Sequence, residues 1–166
     1  MAILIKGGQV IDPGRVNGAA DVLIDQGKIA AVGANLKVPA GCTIIDAKGL
    51  LVLPGFVDLH VHFREPGFEY KETIQSGSAA AVAGGFTTVC AMPNTKPVND
   101  NQAVTELMLD RARTAGLANV LPIGAITKGS EGKELAEIGD LHRSGCVAIS
   151  DDGKPVMNSL VMRRAM

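Results

Sequence analysis

The sequence has 166 residues, enough for one domain with a sizeable core, and its 46 % hydrophobic content excludes a disordered chain. With 16 Lys and Arg against 17 Asp and Glu, the net charge of −1 offers no footprint for a polyanion, so a nucleic-acid binder is not expected. Aromatic residues make up only 3 % and Trp is absent, so the core must be aliphatic. No apolar run is long enough for a membrane span, and Met1-Ala2-Ile3-Leu4-Ile5-Lys6 has no signal-peptide pattern. Cys42, Cys90 and Cys146 are odd in number and far apart, which fits reduced thiols and a cytoplasmic location better than a disulfide framework.

Residues 1–53 read as short strands joined by turns. Strands are expected at 2–5, 9–11, 21–24, 29–32 and 43–45. Asp25-Gln26-Gly27-Lys28 is a hairpin signal between two of them. This small β module has few strands and little bulk, and it reads as an incomplete β-sandwich that needs a partner sheet.

From Leu50 the pattern changes to strand, loop, helix. Strand-like runs are expected at 51–61, 86–92, 119–126 and 146–149. Helical spacing occupies 74–83, 101–115 and 133–143, and a fourth helix begins near Asn158. Asn99 or Asp100 is the expected cap of the second helix. Units repeating at about 30 residues are the building blocks of parallel α/β folds. Four of them make either an open doubly wound sheet or half of a (β/α)8 barrel, a fold that needs about 250 residues when complete. The expectation is therefore an N-terminal fragment, with domain 1–53 followed by barrel units over 54–166, that is neither a stable closed domain nor active alone.

The chemistry centres on Asp58-Leu59-His60-Val61-His62-Phe63-Arg64. Side chains alternate along a strand, so His60 and His62 share a face and can share one metal ion. If the large apolar Val57, Leu59 and Val61 pack against helices, then Asp58, His60, His62 and Arg64 point to the barrel interior. The same parity sends Cys90, Met92 and Asn94 inward from the second strand. From the fourth it sends Cys146, Ala148, Ser150 and Asp152 inward, with Val147 and Ile149 toward the helices. It selects Asp152 over Asp151, and a single bulge would reverse that choice. Taken alone, Asn94 reads as a turn residue in Pro93-Asn94-Thr95-Lys96-Pro97, and Arg64 as an ion-pair partner of Glu65 or Glu72. The site reading rests on their convergence at strand C-terminal ends, where barrel enzymes hold their chemistry.

Four stretches together resemble the dihydroorotase family of the amidohydrolase superfamily. They are Pro54-Gly55-Phe56-Val57-Asp58-Leu59-His60-Val61-His62-Phe63-Arg64-Glu65-Pro66-Gly67, Ala83-Gly84-Gly85-Phe86-Thr87-Thr88-Val89, Met92-Pro93-Asn94-Thr95 and Asp151-Asp152-Gly153. The resemblance implies an α/β fold, the first half of a metal-dependent (β/α)8 TIM-type barrel preceded by a small β-sandwich module. It implies a zinc enzyme, with one or two ions, that interconverts (S)-dihydroorotate and N-carbamoyl-L-aspartate in pyrimidine synthesis. By position, His60 and His62 resemble ligands of the first zinc and Asp152 a carboxylate ligand. Arg64 and Asn94 resemble the groups that hold the substrate carboxylate. The family's further metal histidines and general acid/base aspartate lie on later strands, beyond Met166, and His142 is not their counterpart. A homo-oligomer is expected, with aspartate transcarbamoylase as a candidate partner. The competing readings are a hydantoinase or allantoinase, and a non-catalytic dihydroorotase-like scaffold of aspartate transcarbamoylase. The first generally places a lysine where Asp152 stands, and the second tends to lack the metal histidines.

Overall fold

The computed structural model describes residues 2–166. The chain divides into two compact units, Met1–Pro54 and Gly55–Met166. The first is one mixed sheet. β1 (Ile3–Asp12) pairs antiparallel with β2 (Val16–Asp25), which pairs antiparallel with β3 (Lys28–Gly33). On its other edge β1 carries two short parallel strands, β4 (Thr43–Asp46) and β5 (Leu51–Val52). The β2–β3 hairpin turns on Gln26 and Gly27, both at positive φ (49° and 73°), as a two-residue turn of matching twist requires. β1 runs unbroken where two strands were expected, and Gly7-Gly8 marks only a register shift between Ile5 and Gly8. Val10, Ala20 and Val22 form the buried cluster, while Ile29, Ile44 and Leu51 stay exposed.

The second unit is a four-stranded parallel sheet in the order β6 (Phe56–Val61), β7 (Phe86–Ala91), β8 (Asn119–Gly124) and β9 (Ala148–Ile149). This is an α/β fold with a parallel half-barrel sheet. The expected single strand over 51–61 is in fact two. Pro54-Gly55 breaks the apolar run, so Leu51–Val52 joins the first sheet and Phe56–Val61 opens the second.

Helix α1 (Ile74–Ala83) starts at Thr73, whose hydroxyl accepts from the Ser76 amide while Ser76 Oγ accepts from the Thr73 amide. Helix α2 (Gln102–Ala115) is capped by Asn101, not by Asn99 or Asp100. Asn99 is instead fully buried, donating to the Ile123 carbonyl and accepting from the Thr105 hydroxyl. Asp100 accepts from the Gly129 amide. Helix α3 is confined to Ile138–Arg143. Residues 133–137, expected to open this helix, lie outside it: Leu135 pairs with Thr127 in a bridge, after a 3₁₀ turn at Lys128–Ser130. Helix α4 spans Ser159–Ala165 behind its Asn158 cap.

The core of this unit lies between the sheet and α1 and α2, where Phe63, Ile74, Val89, Ala91, Val104, Met108 and Val120 are buried together. Cys90, Met92 and Ile123 pack on the opposite face, as the alternation in β7 predicts. Two parity expectations need correction. Val57 and Leu59 are exposed (55 % and 70 %), because β6 is an outer strand; of that face Val61, and Phe63 just beyond the strand, reach the helix-side core. Cys146 packs on the helix side with Ala136 and Leu141, and Val147 is exposed, because β9 begins only at Ala148 and strand alternation does not govern the residues before it. Burial pushes the Cys146 thiol pKa up, and burial together with the nearby Asp58 carboxylate does the same for Cys90. All three cysteines are free thiols. No helix of the described residues is long and apolar enough to cross a membrane.

Candidate metal centre

The site is assembled where three parallel strands end. His60 lies within β6, and its amide donates to Asp58 Oδ1 (3.0 Å). His62 follows the strand by one residue. The two imidazole centroids are 5.1 Å apart at an interplanar angle of 73°. Asn94 arrives from the loop after β7, and Asp152 from the loop after β9. Asp152 Oδ1 lies 3.4 Å from His60 Nε2, and Oδ2 lies 3.4 Å from His62 Nε2. Asn94 Nδ2 donates to Asp152 Oδ2 (2.8 Å), and Asn94 Oδ1 lies 2.8 Å from His62 Nδ1. The His60 side chain is half exposed (51 %) and that of Asp152 is 22 % exposed, so the cluster opens to solvent on the His60 side.

His60, His62 and Asp152 each offer a ligand atom, and these atoms lie within 4.8 Å of one another. Two imidazole nitrogens and a carboxylate are a donor set suited to zinc and its first-row neighbours. Both Nε2 atoms face carboxylate oxygens, so an unprotonated imidazole there would set lone pair against lone pair. A cation between them removes that repulsion, and the residues present therefore fit a divalent metal. A cavity of about 360 Å³ beside them is lined by Ile126, Ser150, Asp152, Lys154, Val156 and Met162.

Arg64 is half-buried and makes no ion pair among the described residues. Glu65, one of its expected partners, is engaged elsewhere. Glu65 Oε2 accepts from the Ile74 amide at the start of α1 (2.9 Å), and Oε1 lies 3.3 Å from Arg111 Nε on α2. This carboxylate thus ties the site loop to both helices, a role that the sequence reading did not assign. Asp151 is a second such residue. Its buried carboxylate accepts from the amides of Ile126 (2.8 Å) and Thr127 (3.1 Å) and from the Thr127 hydroxyl. Asp151 anchors the loop while its neighbour Asp152 faces the histidines.

The two loops that carry Arg64 and Asn94 are fastened to each other. The Lys96 amide donates to the Pro66 carbonyl (2.8 Å), and Gly67 sits against Lys96 with φ at +96°. A Cβ on Gly67 would fall 1.9 Å from the Lys96 carbonyl oxygen. Gly67→Ala is therefore expected to cost of order 3 kcal/mol, from steric overlap and left-handed strain together. Gly14→Ala, at φ +79° with nothing within 4 Å of the added carbon, bears only the strain and is expected to cost about 1 kcal/mol. Denaturant unfolding of the two variants checks the difference, and equal losses would show that the Gly67 contact is not tight.

Comparison with known proteins follows the same residues. A family model described as dihydro-orotase-like matches residues 49–166. A dihydroorotase from Anaeromyxobacter dehalogenans is 62 % identical over 99 % of the chain, and one from Geobacter sulfurreducens is 56 % identical over 100 %. The chain spans only 38 % and 39 % of the length of these relatives. Among solved structures, the L-hydantoinase from Arthrobacter aurescens is 29 % identical with a TM-score of 0.69, covering 89 % of this chain and 32 % of that one. A dihydroorotase crystal structure at 21 % identity, covering 89 % of this chain and 41 % of that one, shares the fold with a TM-score of 0.55. The family match takes in both the His60–Gly67 and Asp151–Gly153 stretches, the relatives agree along the whole chain, and the chain belongs to the dihydroorotase-like family.

Proposed function

We propose that the full-length protein is a zinc-dependent dihydroorotase, reversibly hydrolysing (S)-dihydroorotate to N-carbamoyl-L-aspartate in pyrimidine synthesis. The observation that carries this reading is the approach of Asp152 to both His60 and His62 in a chain 62 % identical to a dihydroorotase. In this reading His60, His62 and Asp152 hold the metal, with other ligands and the general acid/base supplied by chain beyond Met166. A bound zinc ion would polarise the amide carbonyl and lower the pKa of water to about 7.

The residues of this chain do the rest. Arg64, without a protein counter-ion among the described residues, is free to take a substrate carboxylate through two parallel hydrogen bonds. Asn94 uses one amide hydrogen on Asp152, and its second can reach the same carboxylate. The ionised Asp152 balances the metal charge. Ring closure, the reverse direction, requires a protonated carboxyl electrophile and is favoured by lower pH.

The domain division proposed is 1–53, a β-sandwich module completed by further strands, and 54–166, the first half of a metal-dependent barrel. Exposed Ile29, Ile44 and Leu51 support the first part, since a sheet with apolar residues left bare calls for a covering layer. A cytoplasmic homo-oligomer, with aspartate transcarbamoylase as a partner, completes the proposal. The hydantoinase likeness supports a second reading, hydrolysis of an uncharged cyclic amide. That reading leaves Arg64 without a task. Turnover of dihydroorotate and of hydantoin by the full-length zinc-loaded protein separates the two. Dihydroorotate is expected to be strongly preferred, and equal turnover would overturn the proposal.

A further inference from the structure

We infer that Asn94 is a positioning residue that fixes the tautomer of His62 and thereby aims its Nε2 lone pair at the metal position. The inference rests on the proposed metal site and concerns how the chain prepares it. Three atoms settle the order of hydrogen bonds. Asp152, when ionised, can only accept, so the Asn94 amide must turn its Nδ2 toward Oδ2, 2.8 Å away. The opposite amide orientation would place two acceptors against each other. With Nδ2 committed, Oδ1 is the atom that meets His62 Nδ1 at 2.8 Å. An oxygen there needs a donor, so Nδ1 carries the proton, and a neutral His62 must leave Nε2 bare. Nε2 is the atom that faces Asp152 Oδ2 within the ligand cluster. Asp152 therefore acts twice, directly as a ligand and through Asn94 as the group that selects the other ligand's tautomer.

The local structure holds Asn94 for this task. The Pro93 carbonyl accepts from the amides of Thr95 (2.8 Å) and Asn99 (3.0 Å), and the Thr95 hydroxyl donates to the Pro97 carbonyl (2.8 Å). The loop is thus closed by its own backbone on both sides of Asn94. Its rigidity spares the site the entropy of ordering the amide when the metal arrives.

The test uses the full-length protein with zinc as the only added ligand, so substrate binding does not enter. Nitrogen-15 NMR of the His62 ring in metal-free protein is expected to show Nδ1–H and bare Nε2 once the ring is neutral. Asn94→Ala is expected to lose that tautomer preference and to weaken zinc affinity about 10- to 100-fold by chelator competition. A neutral His62 carrying its proton on Nε2 in the unmodified protein would overturn the inference, a result that needs no variant to fold. Unchanged tautomer and zinc affinity in Asn94→Ala would overturn it too. Failure of the unmodified protein to bind zinc would instead overturn the metal proposal, and the two failures are thereby distinguished.

Discussion

Replacing His62 by alanine is expected to abolish tight zinc binding and, with it, turnover. In the proposed site His62 supplies a ligand nitrogen, its Nε2 lying 3.4 Å from Asp152 Oδ2, and it is also the residue on which the Asn94 bridge terminates. Its loss removes a direct ligand and leaves Asn94 Oδ1 without its imidazole partner. Loss of a supporting contact alone costs about 10- to 100-fold in metal affinity, so loss of the ligand should exceed about 100-fold. His60→Ala should act in the same direction, although His60 is more exposed than His62 and lacks the second hydrogen bond. Elemental analysis of the purified variants, alongside turnover with zinc in excess, checks both. Full metal content and full activity in either variant would refute its assignment as a ligand.

The second large effect is expected at Arg64. Under the proposed function its guanidinium pairs the substrate carboxylate, and each charged hydrogen bond lost costs about 1.5–3 kcal/mol. Two such bonds correspond to about 10²- to 10⁴-fold in kcat/KM for dihydroorotate on Arg64→Ala. Arg64→Lys should fall between, because an ammonium restores charge without the planar fork. Hydantoin has no carboxylate and should be turned over by the variant no worse than by the unmodified protein. Steady-state kinetics on both rings decide the matter. Equal losses on the two substrates would show that Arg64 supports the fold of the loop and does not read the carboxylate.

These expectations trace unevenly to the sequence. His60 and His62 were legible as a pair because a two-residue spacing on a strand sets a shared face. The inward face of β7 was legible for the same reason, with Cys90 and Met92 opposite Val89 and Ala91. Asp152 reaches the histidines by a different route from the alternation that selected it. β9 has only two residues, Cys146 lies on the helix side, and the direction of Asp152 follows from the anchoring of Asp151 to Ile126 and Thr127. That anchor joins residues about 25 positions apart and leaves no local periodicity to read. The break at Pro54-Gly55 was missed because an apolar run reports burial and not which sheet receives it. Leu135 matched helical spacing, yet it pairs with Thr127 in a bridge, a tertiary contact that overrides propensity. Asn94 was legible as a site residue, but its partners His62 and Asp152 emerge only when the ends of three strands are brought together.

The central claim is that the ends of β6 and β9 place His60, His62 and Asp152 around one metal ion. Anomalous diffraction at the zinc edge, from crystals of the full-length zinc-loaded protein, tests it most directly. The account predicts a peak about 2.0–2.2 Å from His60 Nε2, from His62 Nε2 and from a carboxylate oxygen of Asp152. A zinc-loaded crystal whose anomalous peaks all lie away from these three residues would contradict it.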